Sequence, residues 1–412
     1  MPDYLAILRQ ESTPALGCTE PIAAALATAR ACEALGELPR RIDLCVSPNI
    51  LKNAMNVVIP GTSERGLKMA AALAAVAGRS ELGLQVLREA KEADIQQAYD
   101  LQKSVHLSVS GPEKALYIQA RVSGGAGSAE CIIEDAHTRI TQVSRNGHIL
   151  FQLQNESDSS GTEPGKYGLT VEGIYAFAES VPLADLEMLK AGLAMNRAIA
   201  LEGLRSNYGL RIGKCLRQDS PDYAVSLTAA AVDARMGGCS MPVMTLAGSG
   251  NQGLCATLPC LAMAETMKAS EEKLLRAEAI SQLITIHIKE YIGKLSALCG
   301  CAIAASVGSA CGMAYLMGGG LSEIRFTIQN MIAAVTGMIC DGAKGGCALK
   351  IASGVAAALQ CARLSLAGCT ADAFDGIVMQ DAKQSIANLG LLSERCTRET
   401  DQVILEMMLE KS

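Results

Sequence analysis

Two stretches of this chain, Met236 to Ala264 and Leu295 to Ser322, contain no charged side chain. Uncharged runs of that length have to be buried, in a bilayer or in a protein interior. Both are rich in Gly, Ala, Ser and Cys rather than Leu, Ile and Phe, and both are punctuated by turn sequences such as Gly-Ser-Gly-Asn-Gln-Gly. A bilayer span needs unbroken helix, whereas breaks of this kind suit closely packed small-residue helices that line a site inside a globular protein. The second reading is the one expected here.

Composition supports it. The 412 residues imply two or three domains, and 50% apolar residues with a mean hydropathy of +0.23 can build a large core. The net charge of −6 is unclustered, aromatic residues are 3% and Trp is absent. With neither a basic stripe nor a stacking platform, nucleic acid is excluded as a partner and a small molecule is expected. The N-terminus, MPDYLAILRQESTPALG, has neither the basic nor the apolar region of a signal peptide, so a cytoplasmic protein with no membrane attachment is expected. In that reducing compartment the 16 cysteines are buried hydrophobes, metal ligands or reactive thiols rather than a disulfide framework.

Along the chain the pattern changes once. Residues 20–36, EPIAAALATARACEALG, read as a helix opened by Pro21 and closed by Gly36. RRIDLCVSP reads as a strand and TSERGLKMAAALAAVAG as a capped helix. Residues 104–153 then read as strands (VHLSVSG, LYIQARVSG, ECIIEDA, RITQVS, HILFQLQ), with Asn146-Gly147 as a hairpin signal. A polar segment, 154–166, reads as a linker. From about residue 168 helical periodicity dominates, with no strand run. The expected fold class is α+β: a mixed α/β domain with an antiparallel sheet over 1–160, then a mostly helical domain over 161–412.

Three constellations carry chemistry. Cys299, Cys301, Cys311, Cys340 and Cys347 fall within fifty residues, each near Gly or a helix mouth. The paired knuckles of a zinc site and the tight spacing of a ferredoxin are missing. What remains is a wide C-x38-C-x6-C set formed by Cys301, Cys340 and Cys347, equally readable as inert buried thiols. If these three are ligands, a metal position stays open for substrate. Second, DARMGG and GSGNQG offer Arg235, Ser249, Asn251 and Gln252 as donors for an amino-acid carboxylate, or form a plain turn between buried helices. Third, in ALGCTEP, residues 15–21, Cys18 is either a thiolate at a helix N-terminus, where the helix's partial charge lowers a thiol's pKa, or merely a small residue before Pro21. His106, His137, His148 and His287 are scattered and show no local signature of a catalytic pairing.

Together ALGCTEP, the SPN and KNAMNVVIPGTS segment at 47–63, DARMGG, GSGNQG, GCAIAASVGSACG and ICDGAKGGCALK resemble the L-cysteine desulfidase family, related to the iron–sulfur L-serine dehydratases. The resemblance follows the same motif order over essentially the whole chain. It implies one [4Fe–4S] cluster per chain held by Cys301, Cys340 and Cys347, with one open iron, and with Cys299 a competitor for the first position. It implies Cys18 as proton acceptor and cleavage of L-cysteine with water to pyruvate, ammonia and hydrogen sulfide, without pyridoxal phosphate. Serine dehydration by the same mechanism is the nearest alternative, and an iron–sulfur storage or sensor protein the third. The small-residue helices and the lack of Trp are compatible with a homodimer.

Overall fold

Alternation of buried and open residues along Arg41–Val46, Tyr117–Gly124 and Gly127–Glu134 makes a sheet with one covered face and one wet face. The computed structural model describes residues 2–110, 114–153, 165–216, 223–293 and 295–411, and its architecture is α+β. In chain order the first half runs α1 (Tyr4–Glu11), β1 (Pro14–Leu16), α2 (Thr19–Leu35), β2 (Arg41–Val46), α3 (Pro48–Ala54), α4 (Gly66–Ala77), α5 (Glu92–Leu101), β3 (Val105–Val109), β4 (Tyr117–Gly124), β5 (Gly127–Glu134), β6 (Ile140–Arg145) and β7 (His148–Gln152). The six-stranded sheet has the order β3-β2-β4-β5-β6-β7. All its pairs are antiparallel except β2 with β3, which are parallel. The sequence reading did not contain that pair, which follows from the α3–α4–α5 crossover between the two strands. Asn146 (φ 50°) and Gly147 (φ 79°) turn β6 into β7, the hairpin the sequence signalled.

Helix α2 is Ala-rich and buried along nearly its whole length, because it lies across β4 and β5 with α4 on its other side. It ends at Gly36, as expected, in a left-handed cap whose N–H meets Cys32 O. The Thr/Ser cap expected for α4 does not form: the helix starts after Arg65, and the Thr62 hydroxyl bonds Ile59 O instead.

The second half holds α6 (Val171–Ser180), α7 (Leu183–Leu186), α8 (Met188–Arg205), α9 (Ile212–Cys215), α10 (Tyr223–Met236), β8 (Pro242–Met244), α11 (Gly250–Met267), α12 (Glu271–Ile292), α13 (Ser306–Leu316), α14 (Leu321–Val335), α15 (Cys347–Leu366) and α16 (Ala382–Leu409). The strand β8 was not foreseen. It is three residues long, too short to show alternation, and it exists because β1 pairs with it. Helix α10 is the hub, buried from Ala224 to Met236 and packed against α8, α11 and α15. The uncharged stretches form α11 and α13, both buried nearly throughout. Among the described residues one helix, α15, is long and apolar enough to cross a membrane; it packs on α10, α13 and α14.

There are two hydrophobic cores. The smaller lies between the sheet and α2, α4 and α5, and the larger fills the helical half. Ile7, Leu8 and Cys18 belong to the larger core although they start the chain. Helix α16 touches both, with Ile386 and Leu389 in the helical core and Leu405 against the other. The polar segment 154–166 falls, except for its last two residues, outside the described residues.

Small residues set the helix spacing. A Cβ on Gly203 of α8 would stand 2.0 Å from Ala230 O of α10. Gly203→Ala is therefore expected to push these helices apart and lower stability by about 1–3 kcal/mol. Thermal melting of the variant beside wild type is the check, and equal melting would show that the helices separate freely.

Candidate active site

Three backbone devices bring distant motifs to one place. The first is an N-terminal arm: β1 pairs antiparallel with β8, Pro14 opposite Met244 and Leu16 opposite Pro242. The ladder continues with Thr245 N to Thr13 O and Ala247 N to Glu11 O, both 2.9 Å. It ends at Gly17, where φ is +72° and a Cβ would meet Pro60 Cγ at 2.5 Å, so only glycine makes this turn into α2. Cys18 follows as the N-cap of α2.

The second device brings the thiols together. Residues 297–299 and 338–340 pair antiparallel, with Leu298 opposite Ile339, Cys299 N bonded to Met338 O at 2.9 Å and Cys340 N to Ala297 O at 2.7 Å. Side chains alternate across such a ladder, so Cys299 and Cys340 share one face as diagonal neighbours. Cys301 then opens a wide turn over Cys301–Ala305 in which Ala305 N reaches back to Gly300 O, five residues away; such turns concentrate at functional sites. Cys347 is the first residue of α15, its thiol 3.7 Å from Gly342 O. Gly342 has φ +86°, and a Cβ there would stand 2.3 Å from Lys52 O, which fixes the loop between Cys340 and Cys347 against α3.

Cys299, Cys301, Cys340 and Cys347 thus form one group, whereas Cys311 is buried inside α13, its thiol near Ile324 O. The hydrogen bond from Cys301 brings Cys299 down to about 6, while that bond and burial push Cys301 well up. Burial raises Cys340, and raises Cys347 to about 12. The thiolate field of Cys299 acts on all three of the others. Among the described residues no three His, Cys, Asp or Glu side chains converge on a single metal ion. An iron–sulfur cluster does not require them to, since its sulfur ligands bind separate irons. The donor set, soft thiols at helix mouths and beside glycines, fits such a cluster.

Cys18 departs from the sequence reading. It does cap α2, but its pKa is raised, not lowered: burial dominates and the Glu20 carboxylate adds to it, with Arg235 opposing. Its thiol donates to Glu20 Oε2 at 3.1 Å. His137 stands with its Nε2 4.0 Å from Glu20 Oε1. A buried thiol and carboxylate from GCTEP therefore sit together with an imidazole that no local motif joins to them.

The third device is the GSGNQG loop. Ser249 caps α11, with its hydroxyl 3.7 Å from Cys301 Sγ. Asn251 Oδ1 accepts from Arg235 Nη1 at 2.9 Å, and its Nδ2 is 3.6 Å from Met236 Sδ. Arg235 is 2% exposed, yet its Nε and Nη2 have no hydrogen-bond partner. Gln252 does something different from the expected ligand role: its amide donates to Leu246 O (3.0 Å) and Ala247 O (3.2 Å), closing the loop. Ser249 thus meets the thiol group through Cys301, Asn251 of the same loop pairs with Arg235, the charge of Arg235 reaches Cys18, and Gln252 braces the loop.

Comparison with known proteins gives the family. A family model described as serine dehydratase alpha chain matches residues 81–406, the span that holds all four thiols. Similar full-length relatives include "UPF0597 protein" from Oleidesulfovibrio alaskensis, 41% identical over 99% of this chain and 98% of the relative. Those of Clostridium tetani (40%, 99% and 98%) and Bacteroides thetaiotaomicron (40%, 98% and 97%) are alike. The chain belongs to the serine dehydratase alpha-chain family. That family comprises lyase-type enzymes and is generally iron–sulfur dependent.

In this serine dehydratase-like chain the sequence reading missed residues that lay within its own motifs. Lys52 and Asn53 are in the KNAMN segment and Glu20 is in GCTEP. Lys52, 2% exposed, donates to Asp401 Oδ1 of α16 at 2.5 Å and to Cys340 O at 3.4 Å, tying the C-terminal helix to the cysteine loop. A lysine was not recognisable as buried until its partner, some 350 residues away, was known. Asp341 binds Lys344 (2.5 Å) and Lys350; against the opposing effect of burial, these lysines hold its carboxyl down at about 2. Lys52→Ala would leave Asp401 buried without a counter-charge, at about 3–5 kcal/mol. Lys52→Met with Asp401→Leu is expected to recover most of it, read by denaturant melts of the single and double variants.

Proposed function

We propose that this chain is an L-cysteine desulfidase, splitting L-cysteine and water into pyruvate, ammonia and hydrogen sulfide by α,β-elimination. The observation that carries the reading is the group of thiols gathered beside Cys18 and a buried, part-unpartnered arginine. Cys301, Cys340 and Cys347 would hold a [4Fe–4S] cluster, with Cys299 the competitor for the first place. With three protein thiols as its ligands, such a cluster would supply Lewis-acid chemistry toward the leaving sulfur.

The chain's own residues would do the rest. Arg235 has two free donors in a dry site, and a substrate carboxylate is the ligand that matches a planar guanidinium fork. Asn251 holds that fork by Nη1, and Ser249 sits between it and the thiols. Neutralising the carboxylate is what makes a Cα proton removable, and Cys18 takes that proton. Aminoacrylate then leaves, tautomerises to the imine and hydrolyses.

L-Serine dehydration is a second reading, favoured by the description of the matching family. The chemistry differs only in the leaving group, and a soft metal–sulfur site suits sulfide better than hydroxide. All sixteen cysteines are free, in keeping with the reducing cytoplasm we assign to the protein.

Anaerobically purified protein is expected to carry about four irons per chain and to release sulfide and pyruvate from L-cysteine. Cys340→Ala and Cys347→Ala should lose the iron. Pyruvate from L-serine with no sulfide from L-cysteine would move the assignment to dehydration, and a protein that stays colourless and inert after reconstitution would end both. Asn251→Ala should keep its iron and lose kcat/KM by on the order of 10- to 100-fold, the value of a buried hydrogen bond to a charge; unchanged kcat/KM would remove Asn251 from substrate binding.

A further inference from the structure

The Cys18 turn contains a carboxylate for which the mechanism above has no use. Glu20, in the first turn of α2, is 9% exposed. Its Oε2 accepts from the Cys18 thiol at 3.1 Å and from the Thr19 hydroxyl at 3.0 Å. Its Oε1 accepts from Asn53 Nδ2 at 3.3 Å and faces His137 Nε2 at 4.0 Å. Four elements of the fold thus converge on this one side chain: the α2 turn, α3, the β5–β6 connection and, through Cys18, the N-terminal arm. Burying a carboxylate is unfavourable unless donors surround it, and here both oxygens are served.

This arrangement has a chemical consequence. A thiol held against a carboxylate keeps its proton, so Cys18 rests as S–H and cannot accept another proton as it stands. Among the described residues the Cys18 thiol donates one hydrogen bond, and Glu20 is its acceptor. Burial opposes ionisation of Glu20, but the His137 imidazole and the Cys18 and Thr19 donors outweigh it and hold the carboxyl below its usual range. The acceptor is therefore in the form that can take a proton.

We propose that Glu20 is the proton-relay partner of Cys18, a positioning residue that makes the thiol able to act as a base. In one movement the Sγ–H bond breaks and Oε2–H forms, while the substrate Cα–H bond breaks and a new Sγ–H forms. The Cα–H electron pair becomes the Cα=Cβ π bond, and the Cβ–S pair leaves with the sulfide. One proton then rests on Glu20 and one negative charge on the hydrosulfide ion. Passing that proton to the hydrosulfide releases hydrogen sulfide and restores the resting thiol–carboxylate pair. The ionisable groups facing the pair are His137, Arg235 of α10, which opposes the raised thiol, and Cys340, which lies within the field of Glu20. Asn53 of α3 is neutral, and Lys52 beside it is held by Asp401.

This inference rests on Cys18 being the base, and the experiment separates the two. Glu20→Gln, Glu20→Asp and Cys18→Ser would be compared with wild type for iron content, for kcat and KM across pH, and, in cluster-free protein, for the thiol titration that Cys18→Ser removes. Glu20→Gln is expected to keep iron and KM and to lose kcat on the order of 10²- to 10⁴-fold. It should lose the acid limb of the kcat profile, and its Cys18 thiol should titrate at lower pH than in wild type. Glu20→Asp, which keeps a carboxylate, should recover part of the rate. Wild-type kcat with an unchanged profile in Glu20→Gln would overturn the relay, as would Glu20→Asp no faster than Glu20→Gln when both hold iron. Should Glu20→Gln not fold, the same readouts on Glu20→Asp decide, with a rate and profile unaffected by the shorter side chain counting against it. An active Cys18→Ser variant would instead sink the role of Cys18 itself.

Discussion

The short ladder between residues 11–16 and 242–247 is the interaction on which the site depends. Without it the N-terminal turn would belong to the sheet domain alone, because α2, which follows at once, is buried there. The ladder holds the residues before α2 against the helical core, so the chain crosses from one core to the other at Gly17 and Cys18. A handful of backbone hydrogen bonds fixes this crossing, each contributing about 1 kcal/mol net. They succeed because Ala15 and Leu16 are buried at the same time. The geometry of Cys18, Glu20, Arg235 and the Gly-rich loop is a product of that crossing rather than of any one motif.

A second tie reinforces it from the far end of the chain. Helix α16 lies along both cores and sends Asp401 to Lys52, whose ammonium also reaches the Cys340 carbonyl. A buried ion pair adds little net stability, since desolvation offsets most of its attraction. What it adds is a unique register: sliding α16 by one turn would strand both charges. The loop from Cys340 to Cys347 is thereby set against α3, with Gly342 allowing the backbone of Lys52 to come close.

Much of this was legible in the sequence, and the illegible part has a common cause. Strands β2, β4 and β5 showed period-two alternation because the sheet has one wet face, and the uncharged segments announced α11 and α13 because burial forbids charge. Cys301, Cys340 and Cys347 could be named from motifs, and the structure gathers them. What stayed hidden were contacts between residues far apart in sequence: β8 with β1, Lys52 with Asp401, and His137 with Glu20. Cys18 shows the same limit in energetic form. Its place at a helix N-terminus was readable, and from it a lowered pKa was expected; burial and a carboxylate two residues away reverse the sign. Gln252, read as a substrate donor from its residue type, braces the loop because two carbonyls lie within its reach.

The charges around the thiols suggest what the site is built to receive. Arg235 is buried with two donors unmet. Lys344 and Lys350 flank the cysteine loop, partly spent on Asp341. A water-poor site holds a guanidinium in this state only if negative charge arrives to balance it. Thiolates bound to iron would answer Lys350, whose charge already acts on Cys299. Arg235 acts instead on Cys18 and is held by Asn251, two residues from the Ser249 cap. Under the proposed function this separation would serve two anions rather than one: a cluster at the thiols and a substrate carboxylate at Arg235.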